Sequence, residues 1–369
     1  MEQSTMYIGL DVHKESIHIA LAPGSGEEVR SYGEVRGDLN AIDKAISKLR
    51  GIHPKLNVVY EAGPCGYALY RHLTKKGIVC SVVAPSMIPK RSGDRIKTDR
   101  RDAIKLARLH RGGELTAVYV PSAEDEAVRD LTRAREDAII AHKRARQQLS
   151  SLLLRQNIRY PGKQAWTQAH KRWTARLTMP HAVQQIVFQE YMNAIEEAHQ
   201  RVERLTEQLR QAMETWRVAP VARSLQALRG VSLVAGASIL AELGDLSRFD
   251  NPRDLMAFLG LVPSQYSTGP HQRLGAITKT GNSHARRMLV ESAWAYRFPA
   301  RVSRDLRTRQ EDLPQNVRDI AWRAQVRLCH KYRRLAARGK VKQVITTAIA
   351  RELVGFMWAI AKEVPMAKA

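Results

Sequence analysis

Hydrophobic and polar positions change period twice along this chain. Tyr7–Leu10 and Ile17–Ala22 are short apolar runs around a polar turn holding His13 and Lys14, and both read as strands. A third strand is expected at Glu28–Val35. Leu39, Ile42, Ala45, Ile46 and Leu49 then recur at helical spacing, which predicts a helix over Leu39–Leu49. Val58–Glu61 reads as a buried strand, Tyr67–Lys76 as a helix, and Ile78–Ala84 as a strand ended by Pro85. A helix over Asp99–His110 stops at Gly112-Gly113.

The pattern is then helical throughout. Ser122–Arg155 reads as one long charged helix and Ala182–Trp216 as another. In the second, Phe188, Tyr191, Ile195, Ala198, Val202, Leu205, Leu209 and Ala212 repeat as an unbroken heptad seam. A basic segment containing tryptophan, Tyr160–Arg176, joins the two. They form either a coiled-coil arm that holds a second protomer, the favoured expectation, or a two-helix hairpin within one chain. Leu225 to Leu243 reads as helix, glycine hairpin, helix, and its glycines would let backbone amides approach a phosphate. Phe258 to Gly269 opens a polar, glycine-rich stretch that runs through Arg273, Lys279, Gly281 and Asn282 to a basic helix at His284–Trp294. The remainder is helical and basic, with Arg323, Arg327, Lys331, Arg333 and Arg334 on or near one helix.

The expected class is α/β followed by all-α. Three strands followed by alternating helices and strands give the ribonuclease-H-like topology, in which the first and fourth strands lie side by side. That adjacency brings Asp11 and Glu61 together. The expected domains are 1–118, 119–218 and 219–369.

Charge narrows the partners. Lys and Arg total 60 against 36 Asp and Glu, a net charge of +24. Such an excess favours a polyanion through steering and counterion release, with nucleic acid the first candidate. An anionic membrane surface is the alternative, but no basic amphipathic terminal helix supports it. No apolar run is expected to reach the roughly 20 residues that span a bilayer, and no signal peptide is expected before Met6. Cys65, Cys80 and Cys329 are few, odd in number and far apart. They argue against a disulfide framework or a zinc site, and for a reducing cytoplasm.

Against that background four acids stand out. Asp11 ends the first strand, Glu61 ends the fourth, and Asp99 and Asp102 share one face of a helix start. Hard divalent cations prefer oxygen ligands, and two ions about 3.5–4 Å apart need an anionic site. Each acid alone is more simply structural, since Asp after a Thr98 cap also favours the helix dipole. In this order on one fold they point to a phosphoryl-transfer site holding Mg²⁺ or Mn²⁺. His13 and Lys14 either touch a phosphate or sit in a solvated turn. Arg95, Lys97, Arg100 and Arg101 surround the paired aspartates and contact nucleic acid or simply neutralise the acids.

These segments resemble a known family. Gly9-Leu-Asp-Val-His-Lys, Tyr60-Glu-Ala-Gly-Pro-Cys-Gly and Lys97-Thr-Asp-Arg-Arg-Asp-Ala look like the DEDD motifs of the insertion-sequence transposases of family one-hundred-ten, including its eleven-eleven subgroup. Gly260-Leu-Val-Pro-Ser-Gln-Tyr-Ser-Thr-Gly and Ile277-Thr-Lys-Thr-Gly-Asn look like that family's second domain. The resemblance implies a RuvC-like N-terminal domain, a coiled-coil linker and a C-terminal transposase domain with a serine nucleophile. It implies recombination guided by a structured RNA of the element, in a prokaryotic cytoplasm at the nucleoid. Asp11, Glu61, Asp99 and Asp102 match the DEDD positions. For the nucleophile, counting from the upstream Gly-Leu-x-Pro block gives Thr268, and counting back from Thr278-Lys279 gives Ser267. The less hindered primary hydroxyl favours Ser267, which also suits an ordinary turn.

The implied chemistry is in-line attack by the serine on a DNA phosphodiester and rejoining by a 3′-hydroxyl, with Arg273, Lys279 and Asn282 as candidate nucleic-acid contacts. A composite site then requires a homo-oligomer, dimer or tetramer. Two rivals stand beside it: a junction-resolving nuclease that uses water, and a non-catalytic nucleic-acid-binding protein.

Overall fold

The computed structural model describes residues 5–89, 98–268 and 271–367. The chain divides after Val120 into two compact units.

The first unit is a five-stranded sheet with helices on both faces. Its elements are β1 (Met6–Val12), β2 (Ser16–Pro23), β3 (Arg30–Arg36), α1 (Leu39–Ile52), β4 (Leu56–Glu61), α2 (Ala68–Lys75), β5 (Val79–Val83) and α3 (Asp99–Arg111). The strand order is β3-β2-β1-β4-β5, so β1 and β4 are neighbours, as the sequence order required. They run parallel, while β2 is antiparallel to both β1 and β3.

Alternation along each strand sends its side chains to two faces. On one face Ile8 and Leu10 of β1, Ile19 of β2 and Val58 and Tyr60 of β4 pack against Ile42, Ile46 and Leu49 of α1 and Leu73 of α2. The other face is lined by small residues. Ala20 and Ala22 of β2 meet Ala103 and Ala107 of α3, and Val59 and Val83 meet Leu106. Gly9 sets the approach of α3: a Cβ there would stand 2.3 Å from the Ala103 carbonyl oxygen and 2.4 Å from the Ala107 amide nitrogen. Backbone cannot yield as a flexible side chain does. Gly9→Ala is therefore expected to cost this unit about 1–3 kcal/mol in urea unfolding, by overpacking. An unchanged midpoint would contradict the close contact.

Among the described residues, the second unit is helical apart from one ribbon. It holds α4 (Ala123–Arg155), α5 (Gln168–Thr174), α6 (Ala182–Thr215), α7 (Ala219–Leu225), α8 (Leu233–Leu243), α9 (Pro252–Phe258), the hairpin strands β6 (Pro263–Thr268) and β7 (His271–Ile277), α10 (Ser283–Ala293), α11 (Arg304–Gln310), α12 (Gln315–Ala337) and α13 (Lys342–Glu363).

The heptad seam of α6 packs on α4 of the same chain. Within the chain the seam therefore has a partner, the two-helix hairpin of the two expectations. Trp216 Nε1 donates to Asp125 at 2.8 Å, Arg135 Nε to Thr206 at 2.7 Å, and His142 stacks on His199. Partner numbers fall on one helix as they rise on the other, so the hairpin is antiparallel. Phe188 and Leu209 are buried, while the seam between them is only half-buried, because one helix covers only one side. The aromatic residues of the connecting segment close the far end: Tyr160 and Trp173 lie 5.2 Å apart, and the Arg146 guanidinium lies 4.9 Å from the Trp166 ring.

At the centre of this unit lies α13, whose Ile345, Ile349, Leu353, Val354, Met357 and Ile360 are buried in the main core. It is long and apolar enough to cross a membrane, contrary to the expectation that no such run exists, yet those residues pack within the unit. The glycines around Val231 also serve packing. A Cβ on Gly230 would meet the Ser292 carbonyl oxygen at 2.2 Å, and one on Gly236 the Ala222 carbonyl oxygen at 3.1 Å. Their close approaches are to the chain's own helices.

A buried carboxylate links α4, α8 and α10. Arg133 donates to both oxygens of Glu242, at 2.8 and 3.0 Å, and Asn282 Nδ2 donates at 2.5 Å. Burial alone would push this carboxyl up. The hydrogen bonds from Arg133 and Asn282 outweigh it and hold Glu242 below the ordinary 4.5. A depressed carboxylate stabilises the fold above its unfolded value and loses that contribution as pH falls through the lower folded value. Glu242→Gln should therefore destabilise this unit by about 1–3 kcal/mol at pH 7. The gap to wild type should narrow below about pH 4 in parallel urea titrations. A gap independent of pH would mean that the charge is irrelevant.

Candidate active site

Asp11 sits two residues beyond Gly9 and so projects from β1 toward the α3 face. Thr98 caps α3, its hydroxyl accepting from the Arg101 amide at 3.3 Å, and so fixes the helix start. Because α3 lies against Gly9, its first-turn acids come to the end of β1. His13 Nε2 lies 3.2 Å from Asp11 Oδ2 and 3.7 Å from Asp99 Oδ1. Ligand atoms of Asp11, His13 and Asp99 all lie within 4.8 Å of one another. Burial pushes the Asp11 carboxyl above its usual range. His13 opposes that, while Asp102 and Asp99 add to it by charge repulsion. Asp102 is thus near enough to be felt, though it stands outside the tight trio.

Glu61 ends β4 one position past the last β1–β4 pair, Leu10 with Tyr60. It pairs with Val83 of β5, whose side chain packs on the α3 face, so Glu61 belongs to the Asp11 face. Glu61 is half-buried, and Arg100 is exposed on the first turn of α3. Lys97 and Arg95 lie outside the described residues. His13 was read as a phosphate contact or a turn residue. The structure makes it a neighbour of two acids, because the β1–β2 turn folds back over the strand end. Its place two residues after a strand-end aspartate was the available signal.

The hydroxyl candidates lie in the second unit, on β6. Ser267 and Thr268 are both exposed, and Gln265 Nε2 donates to Ser267 Oγ at 2.6 Å. Tyr266 pairs with Arg273, Ser267 with Gln272 and Thr268 with His271. Residues directly opposite share a face and neighbours alternate, so Arg273 shares the face of Thr268. Lys279 is exposed in the left-handed region, φ 57°, with its amide donating to Gly260 at 3.1 Å. The Asn282 side chain caps α10 through the Ala285 amide and binds Glu242, a commitment that the sequence did not reveal.

A carboxylate cluster at strand ends in so cationic a chain is the arrangement expected of an enzyme that works on nucleic acid. Residues 8–158 match the IS110 DEDD transposase family, and residues 222–306 the IS116/IS110/IS902 transposase family. The y4qE protein of Sinorhizobium fredii is 45% identical over 358 residues, covering 97% of this chain and 88% of that protein. The transposase for insertion sequence element IS1533 of Leptospira borgpetersenii is 32% identical over 338 residues, covering 91% and 98%. The chain belongs to the IS110 family of insertion-sequence transposases.

If the trio holds a cation, Asp11→Asn and Asp99→Asn should each lower Mn²⁺ affinity at least about tenfold in calorimetric titration, with His13→Ala falling between them and wild type. Equal affinity in all four proteins would place the ion elsewhere.

Proposed function

We propose that this transposase cuts and rejoins DNA strands with the acids of its first unit and the Ser267 hydroxyl of its second. One observation carries the proposal: β1 and α3 converge so that Asp11, His13 and Asp99 meet, with Asp102 near Asp11 and Glu61 ending the neighbouring strand. The strand order supports a ribonuclease-H-like, RuvC-like reading of residues 1–118. The family resemblance carries the further division into a helical linker at 119–218 and a transposase region at 219–369.

The donor set suits Mg²⁺ or Mn²⁺. Carboxylate oxygens predominate, and the repulsion that Asp102 and Asp99 exert on Asp11 is what a dication relieves. Asp11, Glu61, Asp99 and Asp102 would hold it, with His13 beside them. A bound dication would supply charge neutralisation at the phosphate.

Ser267 Oγ gives its proton to solvent and bonds to phosphorus, while the bond from phosphorus to the 3′-oxygen breaks and that oxygen takes a proton from solvent to leave as a 3′-hydroxyl. An incoming 3′-hydroxyl later reverses the exchange, releasing the serine. Gln265 orients the Ser267 oxygen by donating to it, which leaves the serine's own proton to be lost. Thr268 is the alternative nucleophile, and its methyl crowds an in-line approach. Arg273, Lys279, Lys97 and Arg100 contact nucleic acid. The acids lie in the first unit and the hydroxyl in the second, and a dimer or tetramer is the assembly this reading expects. The family resemblance carries the guidance by structured RNA and the prokaryotic, nucleoid-associated cytoplasm. The charge supports only a polyanionic partner.

On a nicked element-end substrate, Ser267→Ala should eliminate the covalent protein–DNA adduct seen on denaturing gels, and Thr268→Ala should only weaken it. Chelator and Asp11→Ala should abolish the adduct as well. An adduct lost with Thr268→Ala but kept with Ser267→Ala would exchange the two roles. Metal-dependent cleavage with no adduct in the wild type would assign the attack to water.

A further inference from the structure

The exposed face of α12 has no part in the site above, yet its composition is unusual. Trp322 and Val326 are one turn apart and each is 46% exposed. Arg323, Arg327, His330 and Arg334 follow at spacings of four, three and four, so they form a stripe beside that apolar pair. From Trp322 to Arg334 the face is about 18 Å long. Opposite it, Ala321 and Leu328 are buried, so the orientation of the helix is fixed by the core.

The basic stripe is also held in place. Glu352 of α13 accepts from Arg327 at 2.8 Å and from Lys331 at 2.5 Å. The Arg327 side chain nevertheless remains 67% exposed. Together with His330 and Arg334 these groups line a hollow of about 200 Å³. Asp319, the acid nearest the stripe on this helix, accepts from Gln315 at 2.7 Å.

We infer that this face of α12 binds single-stranded DNA, with a base stacked on Trp322 and phosphates on Arg323, Arg327 and Arg334. An exposed indole beside arginines matches the chemistry of an unpaired nucleotide, which presents both a flat apolar base and an anionic backbone. A paired base has no free face to offer. The excess of cations on the stripe selects a polyanion over a protein partner. The choice of DNA rests on the proposed function, since strand exchange must expose unpaired DNA.

The test uses the full-length protein and a labelled oligothymidylate of about 15 nucleotides, followed by anisotropy. Trp322→Ala should weaken binding about tenfold, and Trp322→Phe should restore most of it. Arg323→Ala with Arg334→Ala should lower the slope of log affinity against log salt by about 1.4, from two lost phosphate contacts on a single strand. A duplex of equal length should be bound without sensitivity to Trp322→Ala. Unchanged oligothymidylate affinity in Trp322→Ala, with native circular dichroism, would overturn the inference. Tenfold tighter binding of oligouridylate would overturn the assignment to DNA. Cleavage by Asp11→Ala, measured in parallel, separates the two proposals. If Asp11→Ala still cleaves while Trp322→Ala loses the oligonucleotide, the acid site falls and the α12 surface stands. The reverse pair of results sinks the surface alone.

Discussion

The first unit depends on one contact, the approach of α3 to the backbone of β1 at Gly9. A helix normally rests on a sheet through side chains that keep the two backbones well apart. Here the strand offers no side chain at the crossing, and Ala20, Ala22, Ala103 and Ala107 keep the surrounding layer thin. The N-terminal turn of α3 therefore reaches the end of β1, where Asp11 lies. A bulkier residue at Gly9 would lift the helix and carry Asp99 and Asp102 away with it. The geometry of the acids is thus set by a packing constraint that involves none of them.

Asp11 is electrostatically costly where it stands. Asp11 is partly desolvated, and its neighbours on α3 repel it. A purely structural carboxylate is treated otherwise in this same molecule. Glu242 is more deeply buried, but it receives three hydrogen bonds from Arg133 and Asn282 and is held ionised. The contrast is informative: one carboxylate is satisfied by the protein, and the other faces, among the described residues, a histidine and two like charges. A cluster of the second kind suits a positively charged visitor.

The second unit assigns its long helices to itself. Pairing the α6 seam with α4 gives an internal hairpin whose base is locked by Asp125 between Trp216 and Arg217. The β6–β7 ribbon, by contrast, is an exposed two-stranded element with Ser267 and Thr268 near its end. Such a ribbon presents hydroxyls outward, while the helical core behind it supplies rigidity.

Much of this was legible in the residues. Period-two and helical patterns located the strands and helices of the first unit, and Asp11, Glu61 and the Asp99–Asp102 pair follow from their places at element ends. Family motifs added the link to insertion-sequence transposases. The β6–β7 hairpin was not legible as strands, because Gln265, Tyr266, Ser267 and Thr268 are all exposed and no alternation of burial marks them. The heptad seam showed that α6 needed a partner but could not show which, since a stripe of apolar residues is equally complementary to a second chain or to α4. Asn282 read as a polar contact until its side chain proved committed to a helix cap and to Glu242. His13 joined the acids only through the fold of a turn. Outside the β6–β7 hairpin, sequence by itself determined which elements form and which residues stand at their ends, because those depend on local periodicity and capping. Only tertiary structure decided which ends meet, because that depends on how closely one backbone can approach another.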